Sequence, residues 1–274
     1  MEIKRVWAVY FSPVGGTESA VTAAAEAAAG ELSLPLHKLD FTLPAARQDV
    51  TAFDAADLVF FAVPTYAGKT PNKLLPWLQS GFSGNGALAA AVVTFGNRSY
   101  DNSLAELCAV LEEDGFHTIA GAAFAVRHVF SDTLGAGRPD EEDSALVKAF
   151  GTDCGRKAAA LTEIPAPVQV SGDAAAPYYV PKGLDGQPAK FLPAKPKTDM
   201  SKCVGCGTCV AVCPVGSVDP ANVAEVPGIC IKCHACVGRC PVGAKYFDDP
   251  AFLSHKAMLE ENFRRRAESA VFLG

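Results

Sequence analysis

Short apolar runs alternate with helix-compatible segments through the first 160 residues. Residues 3–11 (IKRVWAVYF), 57–63 (DLVFFAV), 87–95 (ALAAAVVTF) and 117–126 read as strands, rich in β-branched, aromatic and small apolar side chains. Between the first two lies Thr17–Ala29, thirteen residues of which seven are alanine, which predicts a helix ending at Gly30. Residues 33–38 give a weaker edge strand. Pro71 to Ser80 is a second helix-compatible stretch, with proline suited to a first turn. Asp101 is placed to cap a helix carrying Leu104, Leu107, Cys108 and Leu111 at i, i+3, i+4 and i+7, closed by Gly115. Pro139 opens a last helix with Leu146, Phe150, Cys154 and Leu161 on one side. Strands apolar on both faces, alternating with helices, imply an α/β doubly wound parallel sheet covered on both sides. Five strands fit the order 2-1-3-4-5.

The pattern then breaks. Residues 164–197 hold seven of the nineteen prolines and keep no helical or strand period, so they read as an extended Pro-rich linker lying along one or both domains. The chain is thus expected to divide into residues 1–163, the linker 164–197, a small cysteine-rich domain 198–248 and a C-terminal helix 249–274. That helix would pack through Phe252, Met258, Leu259 and Phe263, with Arg264, Arg265 and Arg266 at its solvated end.

Eight of the ten cysteines fall between residues 203 and 240. Cys203, Cys206, Cys209 and Cys213-Pro214 repeat, offset by 27 residues, as Cys230, Cys233, Cys236 and Cys240-Pro241. Three thiolates at this spacing wrap three corners of a cubane iron-sulfur cluster, and the Cys-Pro step turns the fourth toward the other cluster. The expected ligand sets are Cys203, Cys206, Cys209 and Cys240 for one 4Fe-4S cluster, and Cys230, Cys233, Cys236 and Cys213 for the second. Through both motifs and both Cys-Pro steps this stretch resembles the bacterial-type two-cluster ferredoxins, which implies a small α+β fold. Two zinc ions or a disulfide framework are the alternatives; zinc modules usually pair two CxxC knuckles, and disulfides belong to secreted chains.

Composition narrows the class. A hydrophobic fraction of 49% over 274 residues supplies ample core, and 24 basic against 30 acidic residues leave no basic field for nucleic acid. No apolar run reaches the ~18 to 20 residues of a membrane span, and the first residues lack the cleavage site of a signal peptide. A cytoplasmic, anaerobic setting is the expectation, with redox proteins as partners and no membrane.

In a doubly wound sheet, ligands bind beyond the carboxyl ends of the strands at the switch point. The loops expected there are Ser12-Pro13-Val14-Gly15-Gly16-Thr17, Pro64-Thr65-Tyr66-Ala67-Gly68-Lys69, and Thr94-Phe95-Gly96-Asn97-Arg98-Ser99-Tyr100-Asp101. The first enters a helix N-terminus, where amides and hydroxyls hold a phosphate. Tyrosines on adjacent loops suit a planar ring. Through these three stretches residues 1–162 resemble the flavodoxins, and the chain as a whole resembles flavodoxin-ferredoxin fusion proteins. The resemblance implies FMN, with Ser12 and Thr17 at the phosphate, Tyr66 and Tyr100 flanking the ring, and Gly68, Gly96 and Asn97 at its polar edge. Pro13 removes one amide donor from the phosphate loop.

Three functions stay open on sequence: electron transfer between the clusters and FMN; an FMN-dependent reductase in which the clusters feed a small-molecule acceptor; or a ferredoxin whose flavodoxin-like domain binds no flavin and serves for docking. The loop from Arg127 through His128 to Pro139 decides between carrier and enzyme by whether it covers the ring. Cys108 and Cys154 read as core residues, and His234 as exposed near the cluster sulfurs.

Overall fold

A computed structural model describes residues 2–274. Its main sheet holds β1 (Arg5–Tyr10), β2 (Leu36–Asp40), β3 (Asp57–Pro64), β4 (Leu88–Phe95) and β5 (His117–Ala125), all parallel, in the order 2-1-3-4-5. Helices α1 (Gly16–Leu32), α2 (Ser103–Glu113) and α3 (Glu141–Ala160) follow β1, β4 and β5. The strand alternation sorts the core into two layers. Leu58, Phe60 and Ala62 of β3 face α1 and α3 with Phe150 and Cys154, whereas Val59, Phe61 and Val63 face α2 with Leu104, Leu107 and Leu111.

The alanine run of α1 lets α3 approach closely. Gly151 and Gly155 lie against Ala24 and Ala28, and a Cβ on Gly151 would stand 2.0 Å from the Ala24 carbonyl oxygen. The buried side of α3 is therefore Val147, Phe150 and Cys154, while Leu146, expected to pack, is exposed.

Several expected boundaries move. Helix α1 runs past Gly30, whose backbone stays helical, and ends where Ser33 turns left-handed at φ 53°. Between Pro71 and Ser80 only the single turn Leu75–Leu78 is helical, since Pro76 cannot donate a backbone bond. Asp101 does not cap α2: it sits at φ 42°, its carboxylate paired with the Arg98 guanidinium, and Asn102 occupies the cap position. The C-terminal segment is not one helix. Helix α6 spans Pro250–Asn262, capped by the Asp249 side chain, and Ala270–Phe272 form β6, which joins β5 antiparallel as a sixth strand.

The Pro-rich stretch is extended and docked. Val168 donates to the Thr118 carbonyl at 2.9 Å, Tyr179 to Ala67 at 2.8 Å, and the buried Lys69 ammonium binds the carbonyls of Ala174 and Ala176 at 2.9 and 2.8 Å. After it come a two-stranded ribbon, Lys197–Thr198 with Lys245–Tyr246, and the short helices α4 (Thr208–Ala211) and α5 (Ala235–Gly238). Among the described residues no helix is long and apolar enough to cross a membrane.

Candidate functional site

The two cysteine repeats share one backbone. Gly205 and Lys232, Gly207 and His234, and Gly216 and Gly243 are equivalent pairs at the 27-residue offset, each left-handed, with φ between 58° and 72°. These reversals curl each triplet of cysteines, and the Cys-Pro steps carry the fourth across. Cys203, Cys206, Cys209 and Cys240 line one cavity of about 320 Å³, open mouth included. Cys213, Cys230, Cys233 and Cys236 line a second, of about 360 Å³. Each cavity takes three thiols from one repeat and one from the other.

Backbone amides are aimed at the sulfurs: Ser217 donates to Cys213 at 3.2 Å, Ala244 to Cys240 at 3.2 Å and Lys232 to Cys230 at 3.4 Å. Four soft donors per cavity with amide support fit a 4Fe-4S cluster.

The cavities differ in electrostatics. In the second, burial pushes the thiols of Cys233 and Cys236 up to about 12. Such a pocket holds thiolates only when metal takes them. In the first, the exposed Cys206 is lowered by the Thr208 hydroxyl and amide. At Cys240 burial is outweighed by the amides of Val242, Ala244, Lys245 and Gly243. The first cavity thus carries the exposed Cys206 alongside the buried Cys209, and the second carries the thiols that burial raises most of the eight.

What the second cavity faces is the sheet. Ile231, in the wall of that cavity, packs against the core layer between the sheet and α2, and the Arg47 guanidinium, beyond β2, binds the Pro214 carbonyl. The Tyr66 hydroxyl is pushed well above its usual value, first by burial and then by negative charge at Cys233 and Cys230. Tyr66 follows β3, so the second cysteine set lies within charge-interaction range of the switch point.

The three loops expected there converge as placed. After β1, Gly15 is left-handed at φ 90° with no atom within 4 Å of where its Cβ would stand, and Val14 is exposed beside it. The Ser12 hydroxyl accepts from the Glu18 amide at 2.9 Å, and the buried Thr17 and Thr94 hydroxyls share a bond of 2.7 Å. After β3, Pro64 and Thr65 lead into a turn closed between Tyr66 and Lys69, with Ala67 at φ 48° and Gly68 at φ 77°. Thr65 bonds Ser103 through their hydroxyls at 2.7 Å. After β4, Asn97 sits at φ 64° and Tyr100 packs on Phe95 with centroids 5.5 Å apart. Of the seven left-handed residues other than glycine among the described residues, Ala67, Asn97 and Asp101 lie in these loops. Left-handed residues of this kind recur in ligand-binding loops.

The phosphate end of these loops fits FMN. It is a helix N-terminus opened by a left-handed glycine, with hydroxyls at Ser12 and Thr17 beneath it. The ring end is more occupied. The Asn97 side chain, expected at the flavin edge, donates to the carbonyls of Phe263 and Arg265, both at 2.7 Å, and accepts from Ala267 at 3.1 Å. A Cβ on Gly68 would meet Asp101 at 2.3 Å, and one on Gly96 would meet His128 at 2.5 Å. Tyr66 and Tyr100 stand at that end, and the linker adds Tyr179, whose amide donates to the Ala67 carbonyl and whose ring lies 3.9 Å from the Arg98 guanidinium.

Other expectations change. His234 is not exposed; its ring stacks on Phe247 at 4.7 Å and 11°. The loop from Arg127 to Pro139 runs to α6, where Phe130 meets Phe252 and Leu134 joins Met258 and Leu259. Arg266 pairs with Asp140 at 2.6 Å and with Asp143 and Glu142, so it closes the tail onto α3. The buried pair Lys69–Glu106, at 2.9 Å, escaped sequence reasoning. No local signal marks it, because its partners lie on the linker and on α2.

Residues 196–219 match the family model described as a 4Fe-4S binding domain, and residues 227–243 match a second model of the same description. The chain carries two 4Fe-4S binding domains. They are joined to a doubly wound sheet of the flavodoxin-like strand order. Among similar solved structures are a flavodoxin from the domain Archaea (15% identity, covering 57% of this chain and 99% of that one, TM-score 0.40), the rubredoxin oxygen:oxidoreductase of Desulfovibrio gigas (17%, 58% and 37%, 0.40) and the two-electron reduced flavodoxin of Megasphaera elsdenii (14%, 55% and 98%, 0.38). The fold rests on the strand order rather than on these scores. Comparison with curated proteins found no match.

Proposed function

We propose that the chain is an electron carrier in which two 4Fe-4S clusters stand in series between an outside redox protein and FMN at the switch point. The observation that carries this reading is the sorting of eight cysteines into two crossed sets, the first with the exposed Cys206 and the second with Ile231 of its wall packed against the sheet core. Cys203, Cys206, Cys209 and Cys240 hold the first cluster, and Cys230, Cys233, Cys236 and Cys213 hold the second. A redox partner meets the first cluster at exposed Cys206.

FMN supplies, when bound, a carrier that couples one-electron to two-electron chemistry. The chain's own residues prepare its place. Amides of residues 14–17 and the hydroxyls of Ser12 and Thr17 hold the phosphate, and Tyr66 and Tyr100 bound the ring. Ile231 and Arg47 keep the second cluster's loop against the sheet, which holds the transfer distance short without a mobile linker.

Anaerobic purification with iron, sulfide and flavin assayed on one sample tests this. The expected content is about eight iron, about eight sulfide and one FMN per chain. Full iron without flavin, even after reconstitution with FMN, would overturn the flavin half. An iron content near zero after anaerobic reconstitution would overturn the cluster half.

A further inference from the structure

The two repeats are alike in backbone and unlike in one side chain. Gly207 of the first and His234 of the second occupy the same left-handed position, at φ 72° and 61°. A left-handed conformation costs a residue with a Cβ roughly 1–2 kcal/mol, so histidine where glycine serves calls for a compensating role. The neighbouring case has one: Lys232, equivalent to Gly205, sends its ammonium to the carbonyls of Leu192 at 2.7 Å and Cys230 at 3.0 Å.

For His234, packing is part of the answer. The ring stacks on Phe247, lies 5.5 Å from Phe252 at 28°, and meets Phe130 at 4.9 Å. A phenylalanine would pack as well. What histidine adds is a ring nitrogen, and Nε2 is buried with no hydrogen-bond partner. A buried donor left unpaired costs about 1–3 kcal/mol. His234 also lines the cavity of Cys213, Cys230, Cys233 and Cys236. The acceptors that a cluster would bring to that cavity are sulfurs.

Resting on the cluster assignment proposed above, we infer that His234 donates an Nε2–H hydrogen bond to a sulfur of the second cluster, and so raises that cluster's reduction potential. The first cluster has no counterpart, because Gly207 carries no side chain. The asymmetry has a physical reason. The second cluster is the more buried, and adding an electron in a low-dielectric site is costly, which pulls its potential down. An N–H aimed at sulfur offsets that cost. One electron can then pass inward, the first cluster being oxidised by one as the second is reduced by one, with no steep climb between them.

The test is a redox titration of the holoprotein, followed by electron paramagnetic resonance, on the unaltered chain and on His234→Phe, which keeps the aromatic stack and removes the N–H. The potential of one cluster should fall by about a tenfold change in its reduction equilibrium, ~59 mV for one electron, while the other stays put. His234→Gln, which keeps an N–H donor, should recover part of the shift. In the unaltered chain labelled with ¹⁵N-histidine, pulsed resonance should detect a histidine nitrogen coupled to one reduced cluster, a readout that needs no variant. Full iron with unmoved potentials in His234→Phe, or no such coupling, would overturn the inference. An unaltered chain that lacks the second cluster by iron count would instead bring down the cluster assignment, and the inference with it.

Discussion

Replacing Asn97 by alanine separates a flavin contact from a structural clamp. The residue is 2% exposed, and its amide makes three hydrogen bonds to the tail, two to carbonyls at 2.7 Å and one from Ala267 at 3.1 Å. Truncation removes all three bonds. The carbonyls of Phe263 and Arg265 lie on partly exposed residues and regain water, whereas the amide of Ala267, a residue 2% exposed, does not. The orphaned amide costs about 1–3 kcal/mol and the two bonds exchanged for water add about 1 kcal/mol together, so the loss should be about 2–4 kcal/mol in total. Asn97→Asp should cost at least as much, since it keeps the acceptor for Ala267 but turns a second oxygen on the two carbonyls. Anaerobic urea unfolding followed by circular dichroism measures the stability, and limited trypsin digestion reports on the tail, where Arg264, Arg265 and Arg266 follow α6. The expected result is a lowered midpoint with faster cleavage there. Stability within about 0.5 kcal/mol of the unaltered chain, with unchanged digestion, would refute the clamp.

Gly151→Ala should destabilise by about 3 kcal/mol in thermal unfolding, because the new methyl would stand 2.0 Å from the Ala24 backbone oxygen and must force α1 and α3 apart. Gly30→Ala is its control: that glycine is helical with open space around it, and the change should add about 0.5–1 kcal/mol. Cys206→Ala should lose about half the iron, and a full complement would refute the ligand assignment. His128 is held down to about 3, first by burial and then by the positive charge of His255, His234 and Arg98. Its folded pKa is depressed, so its share of stability is complete above the unfolded value near 6.5 and is lost as pH falls from there toward 3. Between pH 7.5 and 5.5 the loss is about 1.4 kcal/mol, and His128→Phe should be less sensitive over that interval by this amount; equal pH dependence would show that His128 is not buried neutral.

What the sequence determined by itself was whatever neighbours in the chain decide. Strand and helix periods placed β1, β3, β4 and β5 within a residue or two, because burial on both faces of a parallel sheet leaves a continuous apolar run. The repeat of Cys203 to Pro214 in Cys230 to Pro241 indicated the crossed cysteine sets, since cluster ligation depends on spacing that sequence displays directly.

Tertiary structure alone decided the rest. That Ala270–Phe272 complete the sheet is invisible locally: three apolar residues near the end of a chain become a strand only because β5 offers an unpaired edge. The Pro-rich stretch carries no period, yet it is pinned by Lys69, whose partners at Ala174, Ala176 and Glu106 are far away in the chain. Asn97 looked like a ligand residue because it lies in a loop at the switch point, but its bonds go to residues more than 160 positions later. His234 looked exposed because it stands between polar and small residues, and only folding brings Phe130, Phe247 and Phe252 around it. Hydrogen bonds and aromatic contacts between distant segments leave no period behind them, so the partners of a polar side chain are settled when the elements pack and not before.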